Sequence, residues 1–454
     1  MPARAEVAYF GAGPAGIPTP VLERGAAAFV NFEDSGLGLA EISHRSSTAT
    51  KILDETKKGL ISLLDIPDNY DILFLHGGGS GEFSAVVFNM VAVWVEKRRR
   101  KAQEQFGDDD EAILLRVREE LKYYLRLDYL ITGSWSLKAS QEAAQLLDPL
   151  GQNFVNVALD ARETNEGRFG SIPPEDTWKL TPANANSGCG SAFVYYCDNE
   201  TVDGVEFPSF PQCLEAQAGE NDRLVICDMS SNFLSRRVDV KKYAVIFGGA
   251  QKNIGITDIT LAIVRKDLLG DMPPPSFLHK VGVWSPPTIL NWQIVSKNNS
   301  LYNTLPIFSV WIAGEVLRAL IVLHGDSKVA GQEAVSNAKA ETVYRVLDTN
   351  PDVYQPVNHR DVRSRMNICF RVKDPKTEKQ FLAEAEERLL QGLKGHRSVG
   401  GIRASNYNSV SMDNISKLAE YLTEFAQRKR RETLHSSNST PHDSSQHQEA
   451  LISL

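Results

Sequence analysis

FGGAQKNIG, residues 247 to 255, overlaps the end of the apolar run YAVIF at 243 to 247, and its reading decides the fold. A short apolar run bounded by glycines reads as a buried strand. Lys252 then stands at the mouth of that strand. Upstream, RLVICD at 223 to 228 is a second such run and ends in Asp228. An amine and a carboxylate, each at the end of a buried strand, suit pyridoxal 5'-phosphate. The amine can form an imine with the cofactor aldehyde. The carboxylate keeps the pyridine nitrogen protonated, so that the ring can act as an electron sink. Either residue alone reads more readily as a lysine in a surface turn or an aspartate capping a helix, so support must come from the rest of the chain.

Working outward, further apolar runs stand at DILFL from 71, DYLIT from 128, NFVNVAL from 153, FVYY from 193 and ITLAIV from 259. Helix-like segments lie between several of them, such as FSAVVFNMVAVWVEK from Phe83. This alternation predicts an α/β fold with a mostly parallel, mixed sheet flanked by helices. In such sheets ligands bind at the carboxyl ends of the strands, where Asp228 and Lys252 both fall. After about residue 325 the texture changes to that of a smaller α+β domain. GQEAVSNAKAETVYRVLD reads as a helix and MNICFRV from 366 as a strand. KQFLAEAEERLLQGL reads as a helix with Phe381, Ala385 and Leu389 on one face, ended by Gly392 and Gly395. Ile415, Leu418, Leu422 and Phe425 recur at helical spacing near the end. The organisation expected is a large domain over 18–325 and a small one over 326–432 joined by the N-terminal segment 1–17. A charged insertion at about 95–126 and a disordered polar tail over 433–454 complete it.

The chain has 454 residues, 42% apolar and 23% charged, with a formal net charge of -8. That balance gives no support to nucleic-acid binding. The basic run KRRRK at 97–101 is followed by DDDE at 108–111, which reads as a solvated helix or loop. Five cysteines without a C-x-x-C pair argue against disulfide frameworks and zinc sites and suit the reducing cytoplasm. No signal peptide or membrane-length apolar run is expected.

Three constellations carry chemistry. HGGGSGEF at 76–83 follows a strand and opens a helix. Its glycines let backbone N–H groups approach an anion at the helix N-terminus, a phosphate cradle. The rival reading, an esterase oxyanion loop, lacks its G-x-S-x-G partner. GAGPAG at 11–16 matches a dinucleotide fingerprint literally, with Glu33 about twenty residues on, and would suit a flavin or nicotinamide oxidoreductase. Pro18 and Pro20 fall where the phosphate-binding helix should begin, so a glycine-rich N-terminal loop is the plainer reading. KGHRSVGGIRAS at 394–405 and SHRS at 43–46 present His396, Arg397, Arg403, His44 and Arg45, a set suited to an acidic substrate.

With these motifs in place, the chain resembles the phosphoserine aminotransferase family, class-V aminotransferases of PLP fold type I. The similar stretches include GPA at 13, SHRS at 43, HGGGSGEF at 76, GSW at 133, CDNETVDG at 197, DMSSNFLSR at 228, GGAQKNIG at 248, YNTLP at 302, RSRMN at 363 and KGHRSVGGIRAS at 394. The resemblance implies that Lys252 carries the imine, Asp228 pairs with the ring nitrogen and Trp135 stacks on the ring. It implies that Gly79, Ser80 and Gln251 hold the cofactor phosphate and Thr201 the ring hydroxyl. Asn303 and Thr304 would reach that phosphate from a neighbouring subunit, which makes the active form a homodimer. Arg403 would grip the α-carboxylate. His44, Arg45, His396 and Arg397 would receive the distal anion, two of them across the dimer. The implied reaction is reversible transamination of 3-phosphohydroxypyruvate with L-glutamate to O-phospho-L-serine and 2-oxoglutarate, in serine biosynthesis. Another fold type I aminotransferase, of the serine– or alanine–glyoxylate type, is the alternative. Ser80 departs from relatives that carry arginine there. Extra residues near 181–191 and 207–221 leave loop geometry open.

Overall fold

The computed structural model describes residues 2–151, 153–182, 190–215 and 223–438. All seven apolar runs become strands of one sheet: β1 Tyr70–Leu75, β2 Leu127–Ile131, β3 Val155–Asp160, β4 Phe193–Cys197, β5 Val225–Asp228, β6 Val245–Gly249 and β7 Thr260–Arg265. Their order across the sheet is β1-β7-β6-β5-β4-β2-β3. Only β7 runs against its neighbours, pairing antiparallel with both β6 and β1. Because β4, β5 and β6 are adjacent and parallel, Cys197 lies beside Asp228 and Asp228 beside Phe247. Their carboxyl ends therefore open at one edge.

Alternate side chains of the strands feed two cores. Ile72, Phe74, Val194, Tyr196, Cys227, Ile246 and Leu261 face helices Ser47–Leu64 and Ile307–His324. Leu73, Tyr129, Tyr195, Ile226, Phe247 and Ala262 face helices Gly78–Phe106, Asp110–Tyr124 and Ser134–Leu147. Both faces of a mostly parallel sheet are thus covered, as burial of its apolar strands demands. A third core joins Ala8 and Phe10 to Val343, Leu347, Phe370, Phe381, Leu418, Leu422 and Phe425. Here a three-stranded sheet, Tyr354–Pro356, Asn367–Val372 and Ile402–Ser405, carries helices Lys328–Thr349, Pro375–Glu387 and Met412–Asn438.

Several expectations change. The charged segment 95–126 is a helical hairpin rather than a loose insertion, because Ala102, Ile113, Val117, Leu121 and Leu125 are buried in the main core. Its basic run lies on the same helix as the buried Glu96, which accepts from Arg99 Nε at 2.8 Å and Arg100 Nε at 2.7 Å. The helix expected through Leu389 ends at Glu387. Leu389 takes φ +62°, and Leu390–Gln391 turn into a short strand parallel to Ala8–Tyr9. The tail expected from 433 is helical through Asn438, continuing the helix that buries Phe425; residues 439–454 lie outside the described residues. The loops near 181–191 and 207–221 fall partly outside them as well. The helical stretch Ile307–Thr349 is long and apolar enough to cross a membrane by composition, contrary to expectation. Half of its most apolar window is buried, and Glu315 within it binds Arg24 at 2.6 Å, so it reads as a core helix.

One buried charge holds the third core to the site. Lys339 is 0% exposed, and its Nζ donates to the carbonyls of Tyr407 at 2.8 Å, Val410 at 2.9 Å and Asn406 at 3.5 Å. Burial pushes its amine down to about 7 from 10.5. The unfolded chain therefore binds more protons between these values, and the stability from this residue rises with pH across that window. Lys339→Met should leave these carbonyls unpaired and cost about 1–3 kcal/mol. Thermal melts across the window should show the parent gaining on the variant as pH rises; a constant difference would refute the depressed amine.

Candidate active site

Asp228 ends β5 and is buried. Its Oδ1 accepts from Ser230 N at 2.8 Å and Ser230 Oγ at 2.6 Å. Burial pushes its carboxyl up, while Ser230 and the nearby Lys252 ammonium pull it back. Its Oδ2 faces the start of helix Gly78–Phe106: a Cβ built on Gly79 would lie 4.0 Å from it. Gly77 and Gly78 turn the chain from β1 into that helix with φ of +100° and +64°, which favours glycine. The N–H groups of the first turn, including Ser80, are thus presented beside the buried acid.

Lys252 lies in the turn after β6 and donates to the carbonyl of Ala12. The Tyr407 hydroxyl donates to the same oxygen at 2.8 Å, and the lysine nitrogen stands 5.7 Å from the Tyr407 ring centroid. A Cβ on Gly13 would lie 2.8 Å from the lysine nitrogen, and Ala15 N donates to Gln251 O at 2.8 Å. The GAGPAG segment is therefore draped over Lys252. It enters no βαβ unit, since its strand pairs with Leu390–Gln391, and the dinucleotide reading does not hold.

Trp135 opens helix Ser134–Leu147 after β2, half-buried, with Phe83 at 6.4 Å between ring centroids and the Lys138 ammonium 4.3 Å above its ring. Its backbone N–H donates to the buried Glu200 at 2.8 Å. Next to Glu200, Thr201 is buried and accepts from Arg403 Nη1 at 2.9 Å. The Nε of Arg403 is buried with no partner. His396 sits among Arg403, Lys138 and Arg397; burial and these cations hold its imidazole below the ordinary range. An amine, a buried carboxylate, a helix N-terminus and a half-buried indole fit an aldehyde-bearing pyridinium phosphate. The buried Thr132 hydroxyl, also without a partner, adds a polar group at the end of β2.

The remaining expected residues are not joined to this cluster. His44 is half-buried with an unpartnered Nε2, and Arg45, Asn303 and Thr304 are exposed. Among the described residues, no hydrogen bond or ion pair links them to Lys252, Asp228 or Arg403. Sequence reasoning missed Ala12, Lys138, Glu200 and Tyr407. For Lys138 a signal existed, since it lies one helical turn beyond Trp135.

The class-V aminotransferase family model matches residues 7–102 and 154–418. The phosphoserine aminotransferase of Saccharomyces cerevisiae is 40% identical over 427 residues, spanning 94% of this chain and 98% of that protein. The Drosophila melanogaster phosphoserine aminotransferase is 40% identical, spanning 92% and 98%. Among solved structures, the PLP-bound phosphoserine aminotransferase of Trichomonas vaginalis aligns with TM-score 0.73 and 34% identity over 91% of this chain and 99% of that one. An alanine–glyoxylate aminotransferase from Nostoc aligns at TM-score 0.59 with 13% identity over 94% and 96%, a likeness of fold alone. The chain belongs to the class-V aminotransferase family, among its phosphoserine aminotransferases, and is a pyridoxal-phosphate-dependent transaminase.

Proposed function

We propose that the chain exchanges an amino group between L-glutamate and 3-phosphohydroxypyruvate, giving 2-oxoglutarate and O-phospho-L-serine, reversibly and in two half-reactions, as a step of serine biosynthesis. The observation that carries the substrate assignment is Arg403, whose Nε is buried and unpartnered, beside His396, Lys138 and Arg397. One carboxylate and a second, distal anion can share so cationic a corner. Glyoxylate, the acceptor of the alternative reading, has no distal anion to place there.

When bound, pyridoxal phosphate supplies an electron sink for the charge that develops as the substrate α-carbon loses its proton. Asp228, whose Oδ1 is committed to Ser230, would hold the ring nitrogen protonated. Gly79 and Ser80 at the helix N-terminus, with Gln251, would hold the phosphate, Thr201 would bind the ring hydroxyl and Trp135 would cover the ring. Arg403 orients the substrate by its α-carboxylate. Once displaced by substrate, the Lys252 amine takes the α-proton and returns it, as general base and then acid.

The active form in this reading is a homodimer in the cytoplasm. What supports a second copy is an exposed apolar surface: Val322 is 81% and Leu323 70% exposed, beside a cleft of about 910 Å³ lined in part by Val21, Phe32 and Trp311. In a dimer the exposed Asn303 and Thr304 would complete the partner's phosphate site. His44 and Arg45, or His396 and Arg397, would be shared across the interface.

Lys252→Ala should abolish transamination, and borohydride reduction should then leave no pyridoxyl label on the chain. Turnover at the parental rate, or label on another residue, would refute the assignment. Arg403→Ala should raise the KM of both amino donor and keto acid, by about tenfold or more for loss of a charged hydrogen-bonding partner. Unchanged KM for both substrates in steady-state kinetics would remove Arg403 from the substrate site.

A further inference from the structure

Asn199–Glu200 and Val205–Glu206 form a short antiparallel hairpin just beyond β4. Gly204, at φ +71°, closes it and donates to Glu200 O at 2.7 Å. A Cβ on Gly204 would meet Asn367 O at 2.7 Å and Cys369 Sγ at 2.8 Å, so the hairpin is pressed against the C-terminal sheet. Two carboxylates reach from it to the start of helix Ser134–Leu147. Glu200 Oε2 accepts from Trp135 N at 2.8 Å, Glu200 Oε1 from Ser136 N at 3.0 Å, and Asp203 Oδ2 from Ser134 N at 2.6 Å. Three consecutive N–H groups that a helix start leaves unpaired are thereby engaged, by charges that favour its positive end. A Cβ on Gly133 would fall 2.3 Å from Glu200 Cγ, so that glycine makes room for the side chain. Thr201 lies between the two acids and accepts from Arg403.

We propose that Glu200 and Asp203 are positioning residues: as carboxylates they clamp the first turn of helix Ser134–Leu147 and so hold the Trp135 indole in register with Thr201 and Arg403. The proposal rests on the assignment of Trp135 to the cofactor ring. An ionised carboxylate accepts at both oxygens. Once protonated, one oxygen becomes a donor and a weaker, uncharged acceptor, and the bond from the N–H of Trp135 or Ser136 weakens. Glu200 is fully buried with no ion-pair partner among the described residues. Burial raises its carboxyl, and Asp203 raises it further, against the amides of Ser136 and Trp135. The groups facing the pair are Cys197 toward Glu200, and Arg403 and His396 toward Asp203; Lys138 lies over the Trp135 ring. Because its folded value lies above the unfolded one, Glu200 contributes stability at low pH that is lost as pH rises through the folded value. Alignment of Trp135 requires the opposite state, so the clamp tightens as that contribution fades.

The test uses the full-length apoprotein. Hydrogen exchange of the peptide containing Ser134 to Ser136, corrected for intrinsic rates, is measured across pH, together with the Kd for added pyridoxal phosphate. In the parent, protection should rise as pH climbs above the ordinary carboxylate range, and Kd should fall with it. Glu200→Gln should lose that pH dependence and bind pyridoxal phosphate about tenfold more weakly, as expected for a charged acceptor replaced by a neutral one. Parental protection and Kd in this variant overturn the proposal, as does lost protection with an unchanged Kd. Should Glu200→Gln not fold, Asp203→Ala, which loses only the Ser134 bond, carries the same comparison. Trp135→Leu, which removes the aromatic face, separates the two readings. Unchanged affinity there removes the stacking role and the proposal with it. Weakened affinity there with parental affinity in Glu200→Gln removes the clamp alone.

Discussion

The carboxylate of Asp228 sits where little water reaches it, and a lone buried charge costs several kcal/mol. Much of the surrounding architecture answers that cost. Ser230 gives one oxygen two hydrogen bonds within the same turn. Lys252 adds a positive charge from the turn after the neighbouring strand, close enough to act on its titration. The start of helix Gly78–Phe106 adds the partial charge of its N–H groups near the other oxygen. Three separate elements can converge on one carboxylate because β1, β5 and β6 all end at the same edge of the sheet. The acid and the lysine are thus products of topology as much as of local sequence.

Around the lysine the fold uses distance along the chain rather than proximity. The carbonyl of Ala12 receives both Lys252 and Tyr407. Tyr407 lies in a loop whose carbonyls are gathered by the buried Lys339. Asn408 N donates to Asn253 Oδ1 at 2.9 Å, tying that loop to the residue after the lysine. The N-terminal segment, the end of the main sheet and the C-terminal core therefore meet at a single oxygen.

The strands were legible because each is a compact apolar run, and a sheet covered on both faces writes itself as such runs. Asp228, Lys252 and the HGGGSGEF turn were legible because their positions relative to those strands are local. What escaped is non-local. Nothing in GAGPAG distinguishes a pyrophosphate loop from a cover over Lys252, since glycine and proline set the same local turns in both cases. The pairing that decides between them is with Leu390–Gln391. That same pairing turned Leu389 out of the expected helix. Lys339 reads as one more polar residue of an amphipathic helix, and Glu200 as one more acid, until the carbonyls and amides they serve arrive from elsewhere. Asn303 and Thr304 came forward only through resemblance, and, like His44 and Arg45 of the SHRS motif, they stand apart from the cluster within one chain.

The parallel pairing of Ala8–Tyr9 with Leu390–Gln391 has a consequence for biogenesis. Residues 8–9 must wait for residues 390–391, far along the chain, before the roof over Lys252 can form. While the polypeptide is still being translated, the large sheet can assemble, yet the segment that receives the lysine has no strand to lie against. The cover over that lysine is therefore a long-range contact, one that closes only after the sheet beneath it has formed.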